Sequence, residues 1–141
     1  MIDGGLRKLF HAHLPQVHWQ SIEAGGTGRG IPDSNGCVDG KEFWVEFKQT
    51  ANYAVGLRPE QVGWMLRRTR AGGRTFIAVR RRHDGGRRRG ARVDELWLYN
   101  GAGARVLSEL GMKACRGAAL GIWEGGPARW GWEKVGWWLG Q

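Results

Sequence analysis

The chain is short of cysteine, short of acid and without a long apolar run, and each shortage closes a class of protein. Its two cysteines, Cys37 and Cys115, stand far apart with no CxxC spacing, so neither a disulfide framework nor a zinc knuckle is supported and the protein reads as reduced and intracellular. No apolar stretch approaches the roughly 18 residues needed to cross a bilayer. The opening MIDGGLRKLF has no apolar signal-peptide core, so a soluble protein with no membrane partner is expected. The histidines His11, His13, His18 and His83 have no metal-ligand spacing with the cysteines. The stretch Gly25 to Gly30 lacks the Gly-Lys-Ser/Thr ending of a P-loop and the spacing of a dinucleotide fingerprint, so it reads as a loop and no nucleotide cofactor is expected. Acid is the minority charge: 13 Asp and Glu stand against 22 Lys and Arg, a net charge of +9. Most of the excess is arginine, which forks bidentately onto phosphates, and nucleic acid is the leading partner.

What is present suffices for one folded unit. Of 141 residues 41% are hydrophobic, and the 25 glycines are scattered among apolar segments, where they read as turns and close approaches. Leu6, Leu9, Phe10 and Leu14 recur at helical spacing over residues 2 to 14, and Pro15 ends that helix. Val17 to Glu23 has strand character, and a short strand starts near Pro32. From Glu42 to Lys48, Phe43, Val45 and Phe47 alternate with Trp44, Glu46 and Lys48, so one face is apolar and the other gathers Trp, Glu and Lys. Pro59 opens a second helix, in which Val62, Met65, Leu66 and Thr69 recur until Gly72-Gly73 with Gln61, Arg67, Arg68 and Arg70 opposite. Strands at Arg74 to Arg81 and Glu95 to Tyr99 follow, then a short helix near Ala102 to Leu110. Residues 111 to 141 are rich in Gly and Trp and place only a terminal helix near Trp132 to Leu139. The expectation is an α/β fold in the order α-β-β-β-α-β-β, with a core over 1–110 and a Trp-rich C-terminal extension over 111–141 packed on it as one domain.

Asp39-Gly40 is the strongest type I′ hairpin signal in the chain. A turn there pairs residues whose numbers sum to 79 and sets Asp33 opposite Glu46. Like charges so placed are destabilising, and a divalent cation shared by the two carboxylates and a phosphate oxygen would compensate. Lys48, on the same face, would then reach the phosphate or the attacking water. Asn35-Gly36 is the competing signal: as the turn it would take Asp33 away to Val38, while as a bulge it would only bend the first strand.

Pro32-Asp33, a hairpin, then Glu46-x-Lys48 on an apolar strand resembles the signature of the PD-(D/E)xK nuclease superfamily. The lead-in Gly30-Ile31-Pro32-Asp33, and Leu57-Arg58-Pro59-Glu60-Gln61 opening the next helix, are similar to its VRR-NUC and Holliday-junction-resolvase-like branch. The resemblance covers roughly residues 2 to 100. It implies a restriction-endonuclease-like core, a mixed central sheet of about five strands flanked by helices. Asp33 and Glu46 would bind Mg²⁺ or Mn²⁺ with the Phe47 backbone carbonyl as a further ligand, Lys48 would stabilise charge and help activate water, and Gln61 would support the site from the helix. The implied reaction is hydrolysis of DNA phosphodiesters, with RNA as the alternative substrate, selective for structure such as a junction or flap, or targeted by a partner. A homodimer in a cytoplasmic, bacterial or phage-type context is implied as well. Many relatives carry a further acidic ligand on the first helix. Here that helix offers only Asp3 at its start, and Glu23, near the end of the first strand, is the better substitute. An inactive nucleic-acid-binding module of the same fold, or a sequence-specific restriction-type enzyme, are the rival readings.

Between residues 80 and 92 the arginines Arg80, Arg81, Arg82, Arg87, Arg88, Arg89 and Arg92 would repel one another without an anion. Phosphate-backbone contact is the expectation, salt-dependent and without sequence specificity, and Arg67, Arg68 and Arg70 would widen the same surface. Of the two readings of Trp123, Trp130, Trp132, Trp137 and Trp138, packing against the domain or a twin subunit is favoured over stacking on unpaired bases.

Overall fold

Asp39 and Gly40 decide how the first half of the chain folds. Both take positive φ, 51° and 76°, as a type I′ turn requires, and they close two strands, β2 (Ser34–Val38) and β3 (Lys41–Thr50), into a hairpin. The pairing runs from Val38 with Lys41 to Ser34 with Val45, which is the register summing to 79. Asn35 and Gly36 lie inside β2 opposite Trp44 and Phe43. Gly36 is needed there because the Phe43 ring lies across it and a Cβ would overlap the ring.

The computed structural model describes residues 3–23 and 29–141, so most of the glycine-rich stretch read as a loop lies outside the described residues. The remaining elements are α1 (Leu6–His13), β1 (His18–Ser21), α2 (Pro59–Arg70), β4 (Thr75–His83), β5 (Val93–Asn100), α3 (Ala104–Ala114), β6 (Gly121–Trp123) and α4 (Trp132–Leu139). The sheet runs β1-β2-β3-β4-β5-β6. Only β3 and β4 pair parallel, with α2 as their crossover, and the other neighbours are antiparallel. The sheet therefore has six strands where about five were expected. The added strand, β6, is three residues, Gly-Ile-Trp, too short to show a period, and is specified by the free edge of β5. The segment 111–141 is thus built into the sheet, and its Trp130, Val135 and Leu139 are buried in the core.

Alternation along the central strands feeds two cores. Phe43, Val45, Phe47, Phe76 and Ala78 point to one face and pack under Leu6, Phe10 and Leu14 and under Val135 and Leu139 of α4. Ile77, Val79, Trp97 and Tyr99 point to the other and pack under Val62 and Met65 of α2 and Leu107 and Met112 of α3. Phe10 meets Phe47 edge to face at 4.9 Å, which lays α1 across the middle of β3. Within α3, Gly111 leaves helical geometry (φ 80°, ψ 175°), and the Met112 N–H donates instead to the Tyr53 carbonyl at 2.7 Å. Among the described residues no helix is long and apolar enough to cross a membrane, and Cys37 and Cys115 are free.

Candidate active site

The site forms where β2 leaves β3. The ladder ends at Ser34–Val45, and the next backbone N–H on that side of β3, from Phe47, donates to Asp33 Oδ2 at 2.9 Å. A residue's N–H and carbonyl leave a strand on the same side, so the Phe47 carbonyl also points into the gap beside Asp33. The chain reaches Asp33 by running against the first turn of α2. Gly30, at φ 85°, passes so close to the Glu60 carbonyl that a Cβ would overlap it.

On the α2 side of β3, Glu46 and Lys48 are buried, at 3% and 7% exposed, and so is Gln61 at 7%. Gln61 is the hub. Its Oε1 accepts from Lys48 Nζ at 3.1 Å and from the Arg58 backbone N–H at 2.9 Å, and its Nε2 donates to Glu46 Oε2 at 3.0 Å. Two donors converging on one amide atom fix the orientation of that side chain. Lys48 Nζ lies 3.5 Å from Glu46 Oε2. The sequence left Gln61 either on the helix surface or in the site, and the third residue of α2 faces β3.

Burial first, then the neighbouring Asp33 carboxylate, push Glu46 up to about 8, with Lys48 opposing. Asp33 is raised as well, mainly by burial, against the pull of the Phe47 N–H and Lys48. Glu46 Oε1 is buried without a hydrogen-bond partner. A buried acceptor left unpaired costs about 1–3 kcal/mol, more when charged. Two adjacent carboxylates, a backbone carbonyl and an orphaned carboxylate oxygen are the hard-oxygen donor set that suits Mg²⁺ or Mn²⁺. Among the described residues no group of three or more His, Cys, Asp or Glu side chains is placed to hold a metal ion; the candidate donors here are two carboxylates and a backbone carbonyl.

The cleft around them encloses about 550 Å³ and is lined by Asp3, Arg7, Asp33, Glu46, Phe47, Lys48, Gly56, Arg58 and Gln61. Its third acid is Asp3, whereas Glu23 is not brought to the cleft. β1 ends at Ser21, and Glu23 is exposed and outside the cleft lining. Asp3 holds the start of α1, accepting from the Gly5 N–H at 2.9 Å, and the packing of Phe10 on Phe47 brings that end of α1 to the cleft. Periodicity carries no signal for this placement, because it depends on how α1 crosses the sheet.

The arginines divide. Arg80 is buried and forks onto Asp94 at 2.8 and 2.7 Å, and Arg81 is buried against Glu95 at 3.1 Å. These two are internal ion pairs rather than phosphate contacts, because β5 sets Glu95 opposite Arg81 and Asp94 opposite Arg82, two residues along from Arg80 on the same face. Arg82 is half-buried with Asp94 at 3.9 Å. Arg87, Arg88, Arg89 and Arg92 are exposed in the turn after β4. Arg67, Arg68 and Arg70 are also exposed, but α2 runs back against β3 and β4, so they stand at the opposite end of the sheet from that turn and do not widen its surface. Of the C-terminal tryptophans, Trp130 is buried, Trp123, Trp132 and Trp138 pack partly buried against the core, and Trp137 is 46% exposed.

No family model matches the chain, and no curated protein matches it.

Proposed function

We propose that the protein is a metal-dependent nuclease that hydrolyses DNA phosphodiester bonds, with a restriction-endonuclease-like core of the PD-(D/E)xK kind. The observation that carries this reading is the buried Glu46 beside the half-buried Asp33, with one Glu46 oxygen unpartnered and Lys48 beside it. In the reaction one water oxygen bonds to phosphorus, one P–O ester bond breaks, and the products are a phosphomonoester and a hydroxyl. Asp33, Glu46 and the Phe47 carbonyl would hold a divalent cation, which would supply Lewis-acid polarisation of the phosphoryl oxygen and a lowered water pKa. Lys48, oriented by Gln61, donates to the developing negative charge. Gln61 is a positioning residue, holding Glu46 and Lys48 on opposite ends of one amide. Arg7 and Arg58 line the approach to the pair and suit a flanking phosphate.

The test is cleavage by the purified chain of linear, flapped and four-way DNA and of RNA, with Mg²⁺, with Mn²⁺ and with chelator. Metal-dependent cutting that Asp33→Ala removes, while salt-sensitive binding persists, is the expected result. Binding that ignores metals, with no cutting of any substrate, contradicts it and leaves a nucleic-acid-binding module.

A further inference from the structure

Among the described residues, one stretch of the sheet has no helix over it. On the side covered by α2 and α3, the core draws on β4, β5 and the chain between β3 and α2, and among the described residues on none from β1 or β2. Directly paired residues share a face, so Gln20, Asn35 and Trp44 form one row across β1, β2 and β3. That row is half-buried or exposed, whereas Trp19 and Phe43, one residue along on the other face, meet edge to face inside the core at 5.4 Å. The result is a polar shelf walled on one side by α2.

Two tryptophans stand at that wall and belong to neither core. Trp64 of α2 meets Trp44 with ring centroids 5.2 Å apart. Arg68, one turn on, holds its guanidinium carbon 4.6 Å from the Trp64 centroid and 5.4 Å from that of Trp44, beside a cavity that Trp64 and Arg67 also line. Trp44 precedes Glu46 by two residues on the same face, a step of about 6.6–6.8 Å along the strand. An aromatic pair outside the core, topped by a guanidinium and flanked by the exposed Arg67 and Arg70, offers a base a π surface and its phosphates positive charge.

We propose that Trp44, Trp64 and Arg68 form a stacking subsite for an unpaired base of a DNA strand. Its place next to the reacting phosphate rests on the nuclease reading; its affinity for a base does not. Bases inside a duplex have both faces covered by their neighbours, so the subsite selects single-stranded or flapped DNA, or an extruded base.

The experiment measures binding in chelator, where nothing is cut, of a short oligothymidylate and of the same backbone made wholly abasic. The wild type should bind the thymidylate about 5- to 150-fold more tightly than the abasic strand, the range expected for stacking of one base. Trp64→Ala should bind both alike, and Trp64→Phe, which keeps a ring, should recover most of the preference. Equal affinity of the wild type for the two strands would overturn the subsite without recourse to any variant. So would a full base preference in a folded Trp64→Ala. Base preference in a protein that never cuts DNA upholds the subsite and contradicts the nuclease reading, and cutting without base preference does the reverse.

Discussion

Two groups of buried charge sit on neighbouring strands and are built in opposite ways. At the β4–β5 end, Arg80 and Arg81 pair with Asp94 and Glu95, with Arg80 making two short bonds to its partner and a third to the Gly4 carbonyl at 3.2 Å, and the half-buried Arg82 stands 3.9 Å from Asp94. On β3, Lys48 faces two carboxylates, Glu46 and Asp33, and one Glu46 oxygen has no partner. Desolvation is expensive in both places. In the first each carboxylate has its cation and the arrangement is complete without anything added. In the second, once both carboxylates are ionised, a negative charge is left over and a donor set stands open. A fold can hold the second arrangement as part of a site that admits a cation, whereas the first serves only to join strands.

This contrast can be broken in five places. The largest effect belongs to Lys48→Ala, which should lower the rate of DNA cutting by about 10²–10⁴-fold at constant metal, the range for loss of one charge- or proton-handling group. Gln61→Ala should follow in the same assay with a smaller fall, in kcat rather than KM, since it removes the positioning of Lys48 and Glu46. Arg80→Ala should cost about 3–5 kcal/mol in denaturant unfolding, because it strands Asp94 in a half-dry site; a loss under about 1 kcal/mol would mean the pair is not holding β4 to β5. Glu46→Gln should behave in the opposite sense. Folding favours the protonated Glu46, raised from 4.5 to about 8, so its contribution to stability is complete below pH about 4.5 and is lost as pH climbs toward 8. The melting temperature of Glu46→Gln relative to wild type should therefore rise across that window in chelator, and Mg²⁺ should stabilise only the wild type. Smallest of all, replacing Arg87, Arg88 and Arg89 by Ala should leave stability within about 0.5 kcal/mol. The same replacement should flatten the salt dependence of DNA binding by about 0.7–0.9 in slope for each phosphate the protein no longer neutralises.

Much of the site was legible because it depends on local rules. Asp39-Gly40 sets the register, the register sets Asp33 beside Glu46, and the two-residue period sets Lys48 on the Glu46 face. Where placement depends on elements far apart in sequence, the reading failed or stayed open. Asp3 reaches the cleft only through the crossing of α1 over β3, which the sequence does not show, and Glu23 stays outside it. Arg80 and Arg81 looked like free cations because their partners arrive from β5, whose pairing is set across the turn that holds Arg87 to Arg89. Gln61 was undecided because periodicity gives a helix a face without fixing what that face meets. Trp44 looked like one more member of an apolar-polar alternation, and only the bare sheet beside it gives it a use.

The claim at the centre is that Asp33 and Glu46 hold a divalent cation. Calorimetric titration of Mg²⁺ into the full chain, above pH about 8 where Glu46 is ionised, tests it directly. Saturable binding by the wild type that disappears in Asp33→Asn is the result this account predicts, and the same binding curve for both proteins, or none for the wild type, would contradict it.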